Sequence, residues 1–406
     1  MSTGLLNTAQ MTQDIVAKSF AGMITRLMPN GQAPLFGMTA LLTSETALQV
    51  EHGFFTKTMI FPVIVASANV AATDTTIPVV TTANILPGMI MQVASTQENV
   101  IINAVLSATS VSVQRGIGTI AGTAFLSGVA AYQVGNAYEE ASLRPNALLI
   151  NPVRVTNLTQ IFRNTWAISD TIRATKMIAG DTNEAESRQD CAGFHATNIE
   201  TALFFGQKSS GTRNGQPFRT MDGLINIIGN LAYYPSSYSS ANVTTAGATT
   251  NWTQLETMLD PVFNQATDPK VANQRMIFCG GGAKKVFNNI GRLNAVYQIQ
   301  LGQTSWGLQF STFNTTRGTF NLIEHPLFNS NPVWAKMAVI VDMSTFNLAY
   351  LGDRKTQNKE FNTDGKEAND NGIDAIGGTL TTELTCLVKN PPANAVIYNL
   401  TAAAQG

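Results

Sequence analysis

Gly280-Gly281-Gly282-Ala283-Lys284-Lys285 is the stretch whose residue types and spacing come nearest to chemistry: glycines, then lysines, between a strand and a helix. Backbone N–H groups at such a joint can cradle a phosphate. The run lacks the GxxxxGK[ST] order that sets a lysine against phosphates and a hydroxyl on magnesium, and it is not GxGxxG, so it reads as a strand-to-helix turn. The three histidines, His52, His195 and His325, share no helical ligand spacing that would put two imidazoles on one metal ion. His195 reads as a packed or hydrogen-bonded helix residue, and His325, before Pro326, as a turn at a strand end. Glu139-Glu140 has the residue types of acid–base catalysis, but adjacent side chains on a strand point to opposite faces. The pair reads instead as a partner for a basic residue of a neighbouring segment. Cys191, Cys279 and Cys386 are odd in number and far apart, with no CxxC, as expected of buried thiols made in a reducing cytoplasm. GxSxG, HExxH and DxDxDG are absent. The sequence predicts no catalytic residue, no metal site and no cofactor: not an enzyme.

The composition points to another kind of work. The 406 residues suffice for two or three domains. Only 13% are charged, about half the usual share, and 25 basic against 26 acidic residues leave a net charge of −1. A binder that displaces counterions from nucleic acid needs a basic surplus, which is missing here. So few charges fit either a surface covered by other subunits or a neutral surface of Asn, Thr and Ser. The opening MSTGLLNTAQMTQD has no signal-peptide pattern, and no apolar run reaches membrane-spanning length.

Residues 1–50 mix short apolar clusters with Gly and Pro, and Ile15 to Leu27 predicts a short helix within an otherwise arm-like segment. From 60 to 134, short β-branched runs at Thr76–Val80, Met89–Val93, Asn99–Ile102 and Ser110–Val113 alternate with Gly and Pro turns. That texture predicts a small all-β sandwich or barrel, and its charges are Asp74, Glu98 and Arg115 alone. Residues 150–178 read as two long strands, Val153–Asn157 and Gln160–Ile168. Asp181 or Thr182 can cap a long helix through Glu184 and Glu186 to Phe205, ended by Gly206, with Cys191, Phe194, Asn198, Ala202 and Phe205 as its repeating stripe. Ser209 to Gly215 reads as a loop. Residues 220–350 alternate helices (Trp252–Phe263, Gly282–Ile290) with strands (Arg275–Cys279, Thr319–Ile323, Met337–Val341, Phe346–Tyr350), an α+β pattern. A polar stretch from Arg354 to Gly372 precedes the strand Thr379–Val388, and Ala395–Tyr398 closes the chain as a short strand.

Three phrases carry a resemblance over about residues 40–400. They are Val134-Gly135-Asn136-Ala137-Tyr138-Glu139-Glu140 leading to Arg144-Pro145, then Asn157-Leu158-Thr159-Gln160-Ile161-Phe162-Arg163, and Leu348-Ala349-Tyr350-Leu351 with Arg354. In that order of elements the chain resembles the major capsid proteins of tailed bacteriophages with the HK97-like fold. The resemblance implies an α+β chain with 1–50 as N-terminal arm and start of the P domain, and 51–180 as the E-loop region with 60–134 a β-rich insertion domain. It implies 181–221 as spine helix (about Asn183 to Phe205) and P domain, 222–350 as A domain, and 351–406 as P-domain return strands and C-terminus. The implied function is a self-assembling subunit of an icosahedral capsid, in hexamers and pentamers, enclosing double-stranded DNA without reading its sequence. Portal and decoration or scaffolding proteins are the implied partners, with assembly in the host bacterial cytoplasm and residence in the virion. In the type member of this fold an E-loop lysine bonds to a neighbouring asparagine; no motif marks Lys57 or Lys176, so no cross-link is expected. The alternatives are an encapsulin-like compartment of the same fold and a phage tail-tube or decoration protein, against which the long helix and α+β region count.

Overall fold

A computed structural model describes residues 33–41, 43–57, 61–148, 152–175, 183–234, 240–264, 274–293, 300–305, 308–361 and 374–403. The expected arm helix Ile15–Leu27, the caps Asp181 and Thr182, Lys176 and residues 362–372 of the polar stretch lie outside them. In chain order the described elements begin with α1 (Pro34–Leu41), β1 (Glu45–Ala47) and β2 (Glu51–Thr56). Six strands follow: β3 (Val63–Val65), β4 (Thr76–Pro78), β5 (Met89–Val93), β6 (Asn99–Ser107), β7 (Ser110–Ile117) and β8 (Ala130–Asn136). Next come β9 (Val153–Leu158), β10 (Gln160–Ser169), α2 (Asp170–Ala174), α3 (Asn183–Phe205), β11 (Ser209–Arg213), β12 (Gln216–Thr220) and α4 (Leu224–Gly229). The chain continues through β13 (Val243–Thr245), α5 (Trp252–Leu259), β14 (Gln274–Cys279), α6 (Gly281–Leu293), β15 (Gln300–Ser305), β16 (Leu308–Asn314) and β17 (Thr319–Glu324). It ends with β18 (Ala338–Val341), β19 (Phe346–Leu351), β20 (Gln357–Phe361), β21 (Ala375–Val388) and β22 (Ala395–Tyr398). Two compact units result: Phe55–Val153, and the chain on either side of it.

In the Phe55–Val153 unit, alternation of inward and outward side chains builds the core. Met89, Met91 and Val93 of β5 are buried while Ile90 and Gln92 between them are not, as the two-residue period of a strand requires. The strands run β3-β8-β5-β6-β7-β4. The sheet then closes on itself. Ala66 bridges Val79, Ser67 N–H donates to the Pro78 carbonyl (2.9 Å) and Val80 N–H to the Val65 carbonyl (2.9 Å). The product is a six-stranded barrel with no open edge, filled by side chains such as Ile64, Ile77, Val100, Ile102, Val111 and Val113.

The other unit has two larger sheets. In one, the 14-residue β21 is the long axis: β10 pairs with it from Ser169↔Ala375 to Gln160↔Leu384, and β19 and β20 pair with it at its two ends. The helix α3 packs on β10, burying Ile199 and Leu203 with Phe162. The second sheet has seven strands in the order β13-β22-β18-β14-β17-β16-β15. Its central strands are apolar on both faces. Phe278, Val339 and Val341 join the core shared with α3 and α4, while Ile277, Cys279, Ala338 and Ile340 join the core under α5 and α6. Burial on both faces accounts for the unbroken apolar runs Met276–Cys279 and Ala338–Val341.

Several expectations are corrected. The buried stripe of α3 is Cys191, His195, Ile199 and Leu203 with Glu200 and Phe204, whereas Phe194 is 65% exposed. The helix turns about one residue from the expected stripe because two polar side chains, His195 and Glu200, find buried partners. Ser209–Gly215 is not a loop but half of the β11–β12 hairpin. Asn214 (φ 51°) and Gly215 (φ 73°) both adopt the left-handed conformation of a two-residue I′ turn. The chain after Ser169 turns helical at α2, where the Ser169 hydroxyl accepts from Ile172 N–H. Val134-Gly135-Asn136 belongs to barrel strand β8. β22, expected among the P-domain return strands, pairs with β13 and β18 in the seven-stranded sheet.

Candidate assembly surface

The triglycine turn is filled by protein. A Cβ on Gly280 would stand 2.4 Å from Ala335 Cα and one on Gly282 2.8 Å from the Ala335 carbonyl oxygen. Gly281 N–H donates to Asn329 Oδ1 (2.6 Å), and Lys284 Nζ meets Glu324 Oε2 at 3.3 Å. The Gly280 and Gly281 N–H groups and Lys284 are thus occupied internally. The glycines are there for close packing.

The histidines fall in three separate surroundings. His195 is buried between Asn164 Oδ1 and Thr382 Oγ1, each 2.8 Å from a ring nitrogen, and burial lowers its pKa, so it is neutral at neutral pH. His325 Nδ1 accepts from Leu327 N–H (3.2 Å), which leaves the proton on Nε2, 2.7 Å from Glu200 Oε1. His52 Nε2 stands 3.6 Å from Glu45 Oε2. Among the described residues, no three His, Cys, Asp or Glu side chains are grouped to hold a metal ion. Glu139 and Glu140 are exposed, and among the described residues neither forms the expected ion pair with a basic side chain. All three cysteines are free and buried; burial pushes the Cys279 and Cys386 thiols up to about 12, far from nucleophilic thiolates.

Two buried polar clusters escaped the sequence reading. Glu200, fully buried on α3, accepts from the first N–H groups of α1 at Leu35 (2.8 Å) and Phe36 (2.7 Å) as well as from His325. One carboxylate thereby fixes a short helix and a turn that lie far away in sequence. In the barrel, Arg115 grips Glu98 with two bonds (2.8 and 2.7 Å), and Glu98 also accepts from Gly116 and Thr123 N–H (3.0 and 3.1 Å). Burial alone would raise the Glu98 pKa; Arg115 and the two N–H groups overcome it and hold the carboxyl below its ordinary value.

The exterior also carries large apolar side chains. Leu48 (89% exposed), Phe61 (75%), Phe194 and Val333 are large hydrophobic side chains left in water by the isolated chain. Beside Phe194, an open cleft of about 450 Å³ is lined by Trp166, Ile168, Ile172 and Cys191.

Compared with known proteins, the chain matches the SU10 major capsid protein family over residues 4–401. It belongs to that family. A major capsid protein of Pseudomonas phage PaMx41 is 36% identical over 408 residues, covering 98% of this chain and 96% of that one. Among solved structures, the capsid of a native GTA particle aligns at a TM-score of 0.49 with 9% identity, covering 99% of this chain and 100% of that chain. The capsid of cyanophage P-SCSP1u aligns at 0.45 with 10% identity, covering 99% and 97%.

The protein is accordingly a phage major capsid protein, a structural component of the virion shell and not an enzyme. As a capsid protein it assembles with further copies of itself, and its exposed apolar side chains are suited to contacts between subunits.

Proposed function

We propose that this capsid protein is an HK97-type shell subunit of a tailed bacteriophage, assembling as hexamers and pentamers into an icosahedral container for double-stranded DNA. Residues 1–50 form the arm and the start of the P domain, 51–180 the E-loop region with 60–134 as its insertion domain, and 181–221 the spine helix and P domain. Residues 222–350 form the A domain and 351–406 the return strands, with β22 lent to the A-domain sheet. The observation that most supports this reading is the chain path: β2 and β9 pair as a two-stranded ribbon, and the barrel is the sequence inserted between them. The 23-residue α3 against β10 supports the spine-helix role. A net charge of −1 suits a wall that holds DNA without gripping it. Portal and scaffolding or decoration proteins are the further partners, with no subunit cross-link and with assembly in the bacterial cytoplasm. Electron microscopy of the purified full chain tests this. Closed icosahedral particles are the expected outcome, and a persistent monomer whose stability depends on a small ligand would sink the proposal.

A further inference from the structure

The strand β10 is an open edge. Its sheet runs β1-β19-β21-β10, and β10 pairs with β21 alone, from Gln160↔Leu384 to Ser169↔Ala375. In an antiparallel pair, alternate residues turn their N–H and C=O groups away from the partner. Half of this ten-residue strand therefore aims backbone donors and acceptors outward. Among the described residues, nothing pairs with the backbone of residues 161–168 on that outer side. Edge strands that face water are commonly kept short, bulged, or interrupted by Lys or Pro. β10 has none of these guards: its register with β21 is unbroken, and QIFRNTWAIS holds no Lys and no Pro.

The free edge borders a groove whose other wall is α3. Two open clefts of about 450 Å³ each follow one another along it. One is lined by residues 160–164 with Asn198, Ala202 and Phe205, the other by residues 165–168 with Cys191, Phe194 and Ile172. Consecutive residues of β10 line both, not alternate ones, so the backbone edge rather than one face of the strand meets the groove. The five α3 residues are the stripe whose spacing marks a packing face, yet Phe194 is left 65% exposed. An extended segment laid in the groove would complete the backbone pairing and set every second side chain against α3.

We propose that the chain's own N-terminal residues 1–13 lie in this groove as an added strand on β10. Of the stretches outside the described residues, only 1–32 and 362–373 reach the ten residues needed to match β10. Residues 362–373 join Phe361 to Asp374, both held at the Ala375 end of β21, and are too few to run along β10 and return. They also carry four charges, Asp364, Lys366, Glu367 and Asp370, whereas residues 1–13 carry none and contain no Pro. On a strand, Leu5, Asn7, Ala9 and Met11 fall on one side and Leu6, Thr8, Gln10 and Thr12 on the other. The tether favours the same segment. Glu200 of α3 accepts from Leu35 and Phe36 N–H, so the N-terminal segment departs from the helix that forms the groove's other wall. The roughly 20 residues between Gln13 and Pro34 span up to about 66 Å when extended. The 23-residue α3 is only about 34 Å long, so every point of the groove is within reach. Tethering also holds the segment at an effective concentration on the order of millimolar, ahead of a free partner. The proposal goes beyond the shell-subunit reading and does not depend on it, since strand and groove belong to one chain.

The test places the photo-reactive residue p-benzoylphenylalanine at position 167, an exposed alanine of β10, in the full-length chain. After irradiation, denaturing gels separate linked dimers from single chains, and cross-linked peptides are mapped. The expected product is a single chain joined between position 167 and residues 1–13. Amide hydrogen exchange is the second readout. Peptides covering Gln160–Ser169 should lose protection when residues 1–13 are deleted, while β14 and β18 in the other sheet keep theirs. The double variant Thr8→Pro, Ala9→Pro should do the same at full length, because adjacent strand residues aim their N–H groups to opposite sides and one of the two must face β10. Links between two chains, links to another protein or to another part of this chain, no link at all, or protection that survives the deletion each overturn the proposal.

Discussion

Glu98 makes the barrel sensitive to acid through one side chain. Folding lowers its pKa from the ordinary value of 4.5 because Arg115 and two backbone N–H groups favour the ionised form against the pull of burial. A carboxyl whose pKa falls on folding contributes stability that is complete above its unfolded pKa and is lost as pH drops through the lower folded value. Urea unfolding midpoints followed from neutral pH to about pH 3 should therefore fall more steeply for the wild type than for Glu98→Gln. The variant begins less stable, and the two curves approach each other in acid; parallel curves would show that Glu98 carries no such linkage. At this scale the sequence reading named the charges of the barrel without pairing them. Three charges in a long neutral stretch are an obvious set, and burial makes opposite charges seek each other. Glu200 and His325 were not legible as a pair, since 125 residues separate them and neither position differs locally from an ordinary helix or turn residue.

At the scale of elements, the turn between β14 and α6 shows why a glycine run need not be a phosphate loop. Replacing Gly280 by alanine sets a methyl group 2.4 Å from backbone atoms of Ala335, which cannot move without shifting the neighbouring turn. The expected cost is about 1–3 kcal/mol, the range of an overpacked core. At Gly281 the nearest atoms are the side-chain oxygens of Glu324 (3.1 Å) and Asn329 (3.2 Å), which can swing aside, so Gly281→Ala should cost less. Denaturant midpoints of the two variants check the order, and equal effects would mean that the contact with Ala335 is not what requires Gly280. The central strands were legible because burial on both faces demands continuous apolar sequence, as at β14 and β18. The face of α3 was misread because its buried stripe contains His195 and Glu200, whose polarity hides their burial until their partners are known. The β11–β12 hairpin was passed over as a loop although Asn214-Gly215 carries the signal of a tight turn. Every residue of β11 is exposed, so no apolar alternation accompanied it.

For the whole molecule, the low charge determines how an assembled shell should respond to salt. Ion pairs between exposed groups weaken as the Debye length shrinks from about 14 Å near 50 mM salt to about 4 Å near 500 mM. A chain with 13% charged residues and a net charge of −1 has little such attraction to lose and little self-repulsion to screen. Apolar side chains like Phe61, Leu48 and Phe194, which the isolated chain leaves in water, are then the expected source of its contacts. Burial of that kind is insensitive to simple salt and is strengthened by sulfate, which is excluded from protein surfaces. The thermal midpoint of shell dissociation, read by light scattering, should therefore stay nearly constant across that range of sodium chloride and rise in ammonium sulfate. Shells that fall apart in moderate sodium chloride would mean that ion pairs, not apolar contacts, hold the subunits together. The reading of low charge as surface meant for neighbours would then give way to the plainer one, a neutral coat of Asn, Thr and Ser.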